Sequence, residues 1–185
     1  MRILCFGDSN TYGYDPRSFL GERYAEPWPE ILAKETGHTV LNDGQNGREI
    51  PHGERQLQQL DALLGCFGPF DLMTVMLGGN DLLQNSHFTV QDVAARMETL
   101  LRHLMARPSS LLLIAPPPMQ RGAWVGEERL LRESLALCGE YETLARRLGV
   151  PFADSRGWGV EVVFDGVHFS QAGHRAFAAG LQKVL

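Results

Sequence analysis

The sequence predicts an α/β protein, a three-layer α/β/α sandwich built around a five-stranded parallel sheet. Two patterns carry that expectation. Short continuous apolar runs have the length of buried strands, and the segments between them repeat their apolar residues at the helical period. Alternation of the two along most of the chain implies right-handed βαβ crossovers and a sheet covered on both faces. The chain has 185 residues, the length of one domain, and residues 1–185 are expected to fold as a single unit. Its 44% hydrophobic and 21% charged content lies far from the composition of disordered chains.

Residues 3–6, 39–41, 72–77, 111–115 and 152–153 read as the strands. Two shorter helices are expected over 28–35 and 54–64. In the next helix Val93, Met97, Leu100, Leu101, Leu104 and Met105 form one face, opened by a Thr89-x-x-Asp92 capping signal and closed before Pro108. The segment 127–148 places Leu131, Leu135, Cys138 and Leu144 on a broad stripe, and Gly149 followed by Pro151 stops it. Ser170 is placed to cap a last helix whose apolar face is Ala176, Phe177, Leu181, Val184 and Leu185.

Several function classes are excluded by what is missing. A net charge of −5, with acidic and basic residues interspersed, lacks the basic footprint that binds nucleic acid. Cys5, Cys66 and Cys138 are odd in number and form no Cys-x-x-Cys pair, so each reads as a small buried hydrophobe rather than a disulfide or zinc ligand. His38, His52, His87 and His103 have no metal-like spacing, and neither a dinucleotide fingerprint nor a phosphate loop follows a strand, so no metal and no cofactor is expected. His174 reads as a solvent-exposed or capping residue. The first strand begins at once and no apolar run approaches the ~20 residues of a membrane span, which leads us to expect a cytoplasmic protein without a membrane partner.

In parallel α/β sheets ligands bind outside the carboxyl ends of the strands. Gly7-Asp8-Ser9-Asn10 follows the first strand, where a serine Oγ can be presented to a cleft and its N–H turned toward a developing oxyanion. Gly78-Gly79-Asn80-Asp81 follows the third, and Asn80 offers an uncharged amide donor. Asp165-Gly166-Val167-His168 precedes the last helix, at a spacing that lets the carboxylate reach imidazole Nδ1–H and leave Nε2 free as a base. After the second strand comes Asn42-Asp43-Gly44-Gln45-Asn46-Gly47, in its simplest reading a turn. Each piece alone is also an ordinary turn or cap; it is their joint placement at the ends of the right elements that points to chemistry.

These four pieces, in this order from residue 7 to 168, resemble the SGNH (GDSL-type) hydrolase family, with its flavodoxin-like fold. The resemblance assigns Ser9 as nucleophile, His168 as base and Asp165 as the acid of the triad. It assigns the Ser9 N–H, Gly47 and Asn80 to an oxyanion hole, with Gly44 the competing glycine. The start Arg2-Ile3-Leu4-Cys5-Phe6-Gly7-Asp8-Ser9, the prolines Pro116, Pro117 and Pro118, and Asp165-Gly166-Val167-His168-Phe169-Ser170 are similar to the small arylesterase and acyltransferase branch. Asn10 stands where the family's older motif has Leu, a departure expected to bear on the acyl pocket. Asp81 reads as structural.

The implied partner is a small-molecule ester. The connections 13–27, 82–88 and 116–126 are expected to rim the cleft with Tyr12, Tyr14, Trp28, Met119 and Trp124 in or beside them. Asp8, Tyr12 and Trp124 are the candidate substrate-binding residues, although Asp8 also suits a turn through an Asx-type hydrogen bond. Short loops favour acetyl-type groups over long chains, with acyl transfer to alcohols as a second outcome. An apolar Trp124-Val125 rim is consistent with a homo-oligomer. Two rival readings stay open: a non-catalytic small-ligand or carbohydrate-binding protein on the same fold, and a nucleotide-binding α/β protein.

Overall fold

The computed structural model describes residues 1–18 and 20–185. Five parallel strands, β1 (Arg2–Gly7), β2 (Thr39–Gly44), β3 (Leu72–Met76), β4 (Ser110–Ala115) and β5 (Phe152–Asp154), lie in the order β2-β1-β3-β4-β5. Helices α1 (Ser9–Tyr12), α2 (Trp28–Thr36), α3 (Glu54–Phe67), α4 (Gly79–Gln84), α5 (Val90–Leu104), α6 (Glu128–Leu148) and α7 (Gln171–Gln182) make the connections, with a 3₁₀ turn at Ser155–Trp158.

Why the strands read as unbroken apolar runs is visible in the two cores. Leu4 and Phe6 of β1, and Leu111, Leu113 and Ala115 of β4, face the core under α3, α5 and α6. Ile3 and Cys5, with Leu112 and Ile114, face the other core, under α2 and α7. Successive side chains alternate between faces, so a strand covered on both sides is apolar at nearly every position, the buried Thr74 of β3 being an exception.

Local signals behave as expected at three helix ends. The Thr89 hydroxyl accepts from the Asp92 N–H while the Asp92 carboxylate accepts from the Thr89 N–H. Ser170 Oγ accepts the Gly173 N–H at 3.0 Å, and Gly149 closes α6 in the left-handed conformation.

Other expectations need correction. Strand β2 runs on through Asn42, Asp43 and Gly44, so those residues pair with β1 instead of turning. On α6 the buried apolar residues are Leu130, Leu137, Cys138, Tyr141, Leu144 and Ala145, beside buried Glu133 and Ser134, and Leu135 is exposed, because an apolar type alone does not mark the face that a long helix docks. Helix α7 ends before Val184 and Leu185, which are exposed. Cys66 is also exposed, whereas Cys5 and Cys138 are buried. His174 is fully buried, its Nδ1 accepting the Trp28 N–H at 3.3 Å, and burial followed by the charges of Arg23 and His168 pushes its pKa down to about 3.

From β1 the chain crosses to β2 on one side and later to β3 on the other, which opens a crevice between the carboxyl ends of β1 and β3. Ser9 starts α1 directly after β1, and Asn80 lies in the first turn of α4 directly after β3.

Candidate active site

Ser9 is fixed by a tight turn. Asp8 caps α1, its Oδ1 accepting the Asn10 N–H at 2.9 Å and its carbonyl accepting the N–H groups of Thr11 and Tyr12 at 3.1 and 2.9 Å. From this turn Ser9 Oγ lies 2.9 Å from His168 Nε2. The other ring nitrogen, Nδ1, is 2.6 Å from Asp165 Oδ2, while Asp165 Oδ1 accepts the N–H groups of Val167 and His168 at 2.9 and 3.0 Å. A carboxylate only accepts, so the proton sits on Nδ1 and Nε2 faces Ser9 with its lone pair.

Asp165 is fully buried. Burial works to raise its pKa, but the bonds from the His168 ring and the two N–H groups, with the His168 charge, outweigh that and hold the carboxyl below its usual value. Asp8 behaves in the opposite way: burial pushes it up from 3.8 to about 6, against the Asn10 N–H and the charges of His168 and Arg48. A carboxyl with a raised folded pKa stabilises the fold fully below its unfolded value and loses that contribution as pH rises through about 6. Asp8→Asn keeps the cap and removes the titration. Its stability relative to wild type should therefore climb by up to about 3 kcal/mol between pH 4 and 7, at 1.36 kcal/mol per unit. Urea midpoints across that range check it, and a flat difference would contradict it.

The segment after β3 is tied to the segment after β2. Four side chains of α4 and the residue after it grip the segment 47–50: Asn80 Nδ2 donates to the Arg48 carbonyl at 3.2 Å, Asp81 Oδ2 accepts the Ile50 N–H at 3.1 Å, Gln84 Nε2 donates to the Gly47 carbonyl at 3.0 Å, and Asn85 Nδ2 donates to Glu49 at 3.0 Å. Asp81 is fully buried and also accepts from Arg96 at 2.7 Å. The Arg48 guanidinium spans the ends of β1 and β2, donating to the carbonyls of Gly7 and Asp43 and to the Asp43 carboxylate, and it lies 4.3 Å over the Phe6 ring.

Ser9, Gly47, Asn80 and His168 open together into a cleft of about 520 Å³. Tyr14, Asn46, Leu83, Gln84 and Trp124 complete its lining, and none of these side chains carries a formal charge. The rings of Tyr14 and Trp124 meet the His168 imidazole edge-on at centroid distances of 4.9 and 5.0 Å. Trp124 is 52% exposed, at the mouth.

The structure thus brings Ser9, Gly47, Asn80, Asp165, His168 and Trp124 to one place. Gly44 is not at the cleft: it ends β2, its N–H is taken by Asn42 Oδ1 at 3.0 Å, and a Cβ there would lie 2.0 Å from the Tyr12 nitrogen. Gly47 has a φ of 73°, a conformation that favours glycine.

Tyr12 and Asp8 do not line the cleft. Tyr12 carries the Arg23 guanidinium 5.1 Å above its ring, and the Asp8 carboxylate is spent on the cap. Trp28 and Met119 belong to the cores, Trp28 lying 4.9 Å from Phe177. Of the connection 13–27, Phe19 lies outside the described residues. Leu83 and Gln84 fall within the rim expected over 82–88 and Asn46 within the segment 42–47, but none of the three carried a signal of its own as a lining residue. Asn10 does not line the cleft either. Among the described residues no group of three or more His, Cys, Asp or Glu is placed to hold a metal ion, and no helix is long and apolar enough to cross a membrane.

A parallel α/β sheet with a Ser–His–Asp chain of hydrogen bonds at its carboxyl edge has an arrangement that nucleophilic hydrolases use. The sequence profile of the GDSL-like lipase/acylhydrolase family matches residues 5–176, and the chain belongs to this family. Among solved structures it is similar to an aryl esterase of M. smegmatis, with 28% identity over 100% of this chain and 99% of that one, at a TM-score of 0.85. It is similar also to a carbohydrate acetylesterase family member from Sinorhizobium meliloti, with 28% identity over 99% of this chain and 96% of that one, at a TM-score of 0.85. No curated protein matches it. Family and neighbours together support an esterase or acylhydrolase activity.

Proposed function

We propose that the protein is a serine esterase that hydrolyses short-chain, acetyl-type carboxylic esters through an acyl-Ser9 intermediate. The observation that carries this reading is the Ser9–His168–Asp165 chain, with spacings of 2.9 and 2.6 Å, opening into an uncharged cleft.

In the proposed cycle His168 Nε2 takes the Ser9 proton as Oγ attacks the ester carbonyl, and Asp165 stabilises the imidazolium. The tetrahedral oxyanion is held by the Ser9 N–H, the Gly47 N–H and Asn80 Nδ2. His168 then returns the proton to the departing alkoxide. Water, activated by the same imidazole, attacks the acyl-enzyme and frees Ser9. An alcohol can take the water's place and yield a new ester; the apolar wall of Tyr14, Leu83 and Trp124 beside His168 favours that outcome for alcohols with an apolar body. Trp124 at the mouth is the proposed contact for the leaving group.

The cleft volume lies in the lower part of the range for small-molecule sites, which favours a small acyl group plus an alcohol over a long chain. Release of p-nitrophenol from acetate, butyrate and octanoate esters tests the reading. The acetate should turn over best; a preference for octanoate would overturn the short-acyl assignment, and inertness toward all three would favour a ligand-binding protein.

Asn80→Ala removes one donor from the oxyanion. It should lower kcat for the acetate by about 10² to 10³ with KM little changed, since such a donor acts mainly in the transition state. A change in KM alone would remove Asn80 from the oxyanion hole.

A further inference from the structure

Asn10 follows Ser9 on α1, yet its side chain is committed to the other half of the site. Its Nδ2 donates to the Val167 carbonyl at 3.1 Å and its Oδ1 accepts the Phe169 N–H at 2.9 Å. Those two peptide groups flank His168, so one planar amide spans the base from both sides. His168's own backbone bonds stay within its loop: its N–H goes to Asp165 Oδ1 at 3.0 Å, and its carbonyl accepts the Val163 N–H at 2.8 Å. Among the described residues, the hydrogen bonds that cross from 7–12 to 163–170 are the two made by Asn10 and the Ser9–His168 bond itself.

We propose that Asn10 is a positioning residue that sets the Ser9–His168 spacing by clamping the peptide groups on either side of His168 to the turn that carries Ser9. An amide suits this, because it presents a donor and an acceptor on separate atoms to one partner that accepts and another that donates. A leucine of similar size satisfies neither. The inference rests on the proposed roles of Ser9 and His168. It gives Asn10 a function through the base instead of through the acyl pocket.

The test is a double-mutant cycle. Asn10→Leu and Asn10→Ala are each made in the wild type and in His168→Ala, and kcat and KM for p-nitrophenyl acetate are measured below the unfolding transition of each variant, with urea midpoints alongside. Asn10→Ala removes the clamp without adding bulk, so it reports even if the leucine variant does not fold. In the wild-type background kcat should fall by about 10², the usual consequence of misplacing a reacting group by about 1 Å, with KM within about threefold. In His168→Ala the same change should cost less than about threefold, because the residue it positions is gone. An equal loss in both backgrounds, or an unchanged kcat in the wild type, would overturn the role of Asn10. If His168→Ala itself leaves kcat intact, the functional reading fails and the role of Asn10 falls with it, an outcome distinct from a failure of Asn10 alone.

Discussion

Ser9→Ala should reduce kcat for p-nitrophenyl acetate by a factor on the order of 10⁴ or more while leaving the fold intact. The variant loses the proposed nucleophile: Ser9 Oγ lies at the end of the His168–Asp165 chain, 2.9 Å from Nε2. It keeps Asn80, the segment 47–50 and the Asp8 cap, so residual rate above buffer should remain, as expected when the proposed oxyanion donors survive the loss of the proposed nucleophile. Stability should change little, because Ser9 Oγ has a single side-chain partner. Progress curves beside urea denaturation check both halves, and equal activity in variant and wild type would mean that another residue is the nucleophile.

Asp165→Asn should cost about 10⁴ in kcat, and the geometry says why. Asp165 Oδ1 accepts two N–H groups, from Val167 and His168. In the asparagine variant the amide oxygen must stay on those donors, which turns the amide NH₂ toward Nδ1. Nδ1 then has to accept, its proton moves to Nε2, and the ring can no longer receive the Ser9 hydroxyl proton. Asp165→Ala lacks that wrong-way donor, so the comparison separates tautomer from charge: the asparagine variant should be no more active than the alanine one. An Asp165→Asn enzyme near wild-type activity at pH 7 would rule out the proposed tautomer control.

The strands were legible in the sequence for a definite reason. Ile3, Leu4, Cys5 and Phe6 alternate between two covered faces, which turns burial into an unbroken apolar run. Ser9, Asn80 and the Asp165–His168 pair were legible because each sits within a few residues of a strand end or helix start, where a short motif and its location can be read together.

What stayed hidden depends on contacts between distant segments. Asn10 and Val167 are 157 positions apart, and Asn80 and Arg48 are 32 apart. The grip of α4 on 47–50 joins amides and carboxylates that look individually like surface polar residues. His174 misled because a histidine carries no mark of burial; the Trp28 N–H and the rings of Tyr24 and Phe169, which hold it, come from elsewhere in the chain. Tyr12 misled by proximity, since lying three residues after Ser9 on a helical turn does not place a ring in the cleft.

The central claim, that Ser9 is a nucleophile activated by His168, is tested most directly by covalent labelling. The protein is treated with diethyl p-nitrophenyl phosphate, p-nitrophenol release is followed, and the modified peptide is mapped by mass spectrometry. The account predicts one diethylphosphoryl group per chain, on Ser9, with the labelling rate falling by orders of magnitude in His168→Ala. A chain that takes no label, or takes it on another residue, would contradict it.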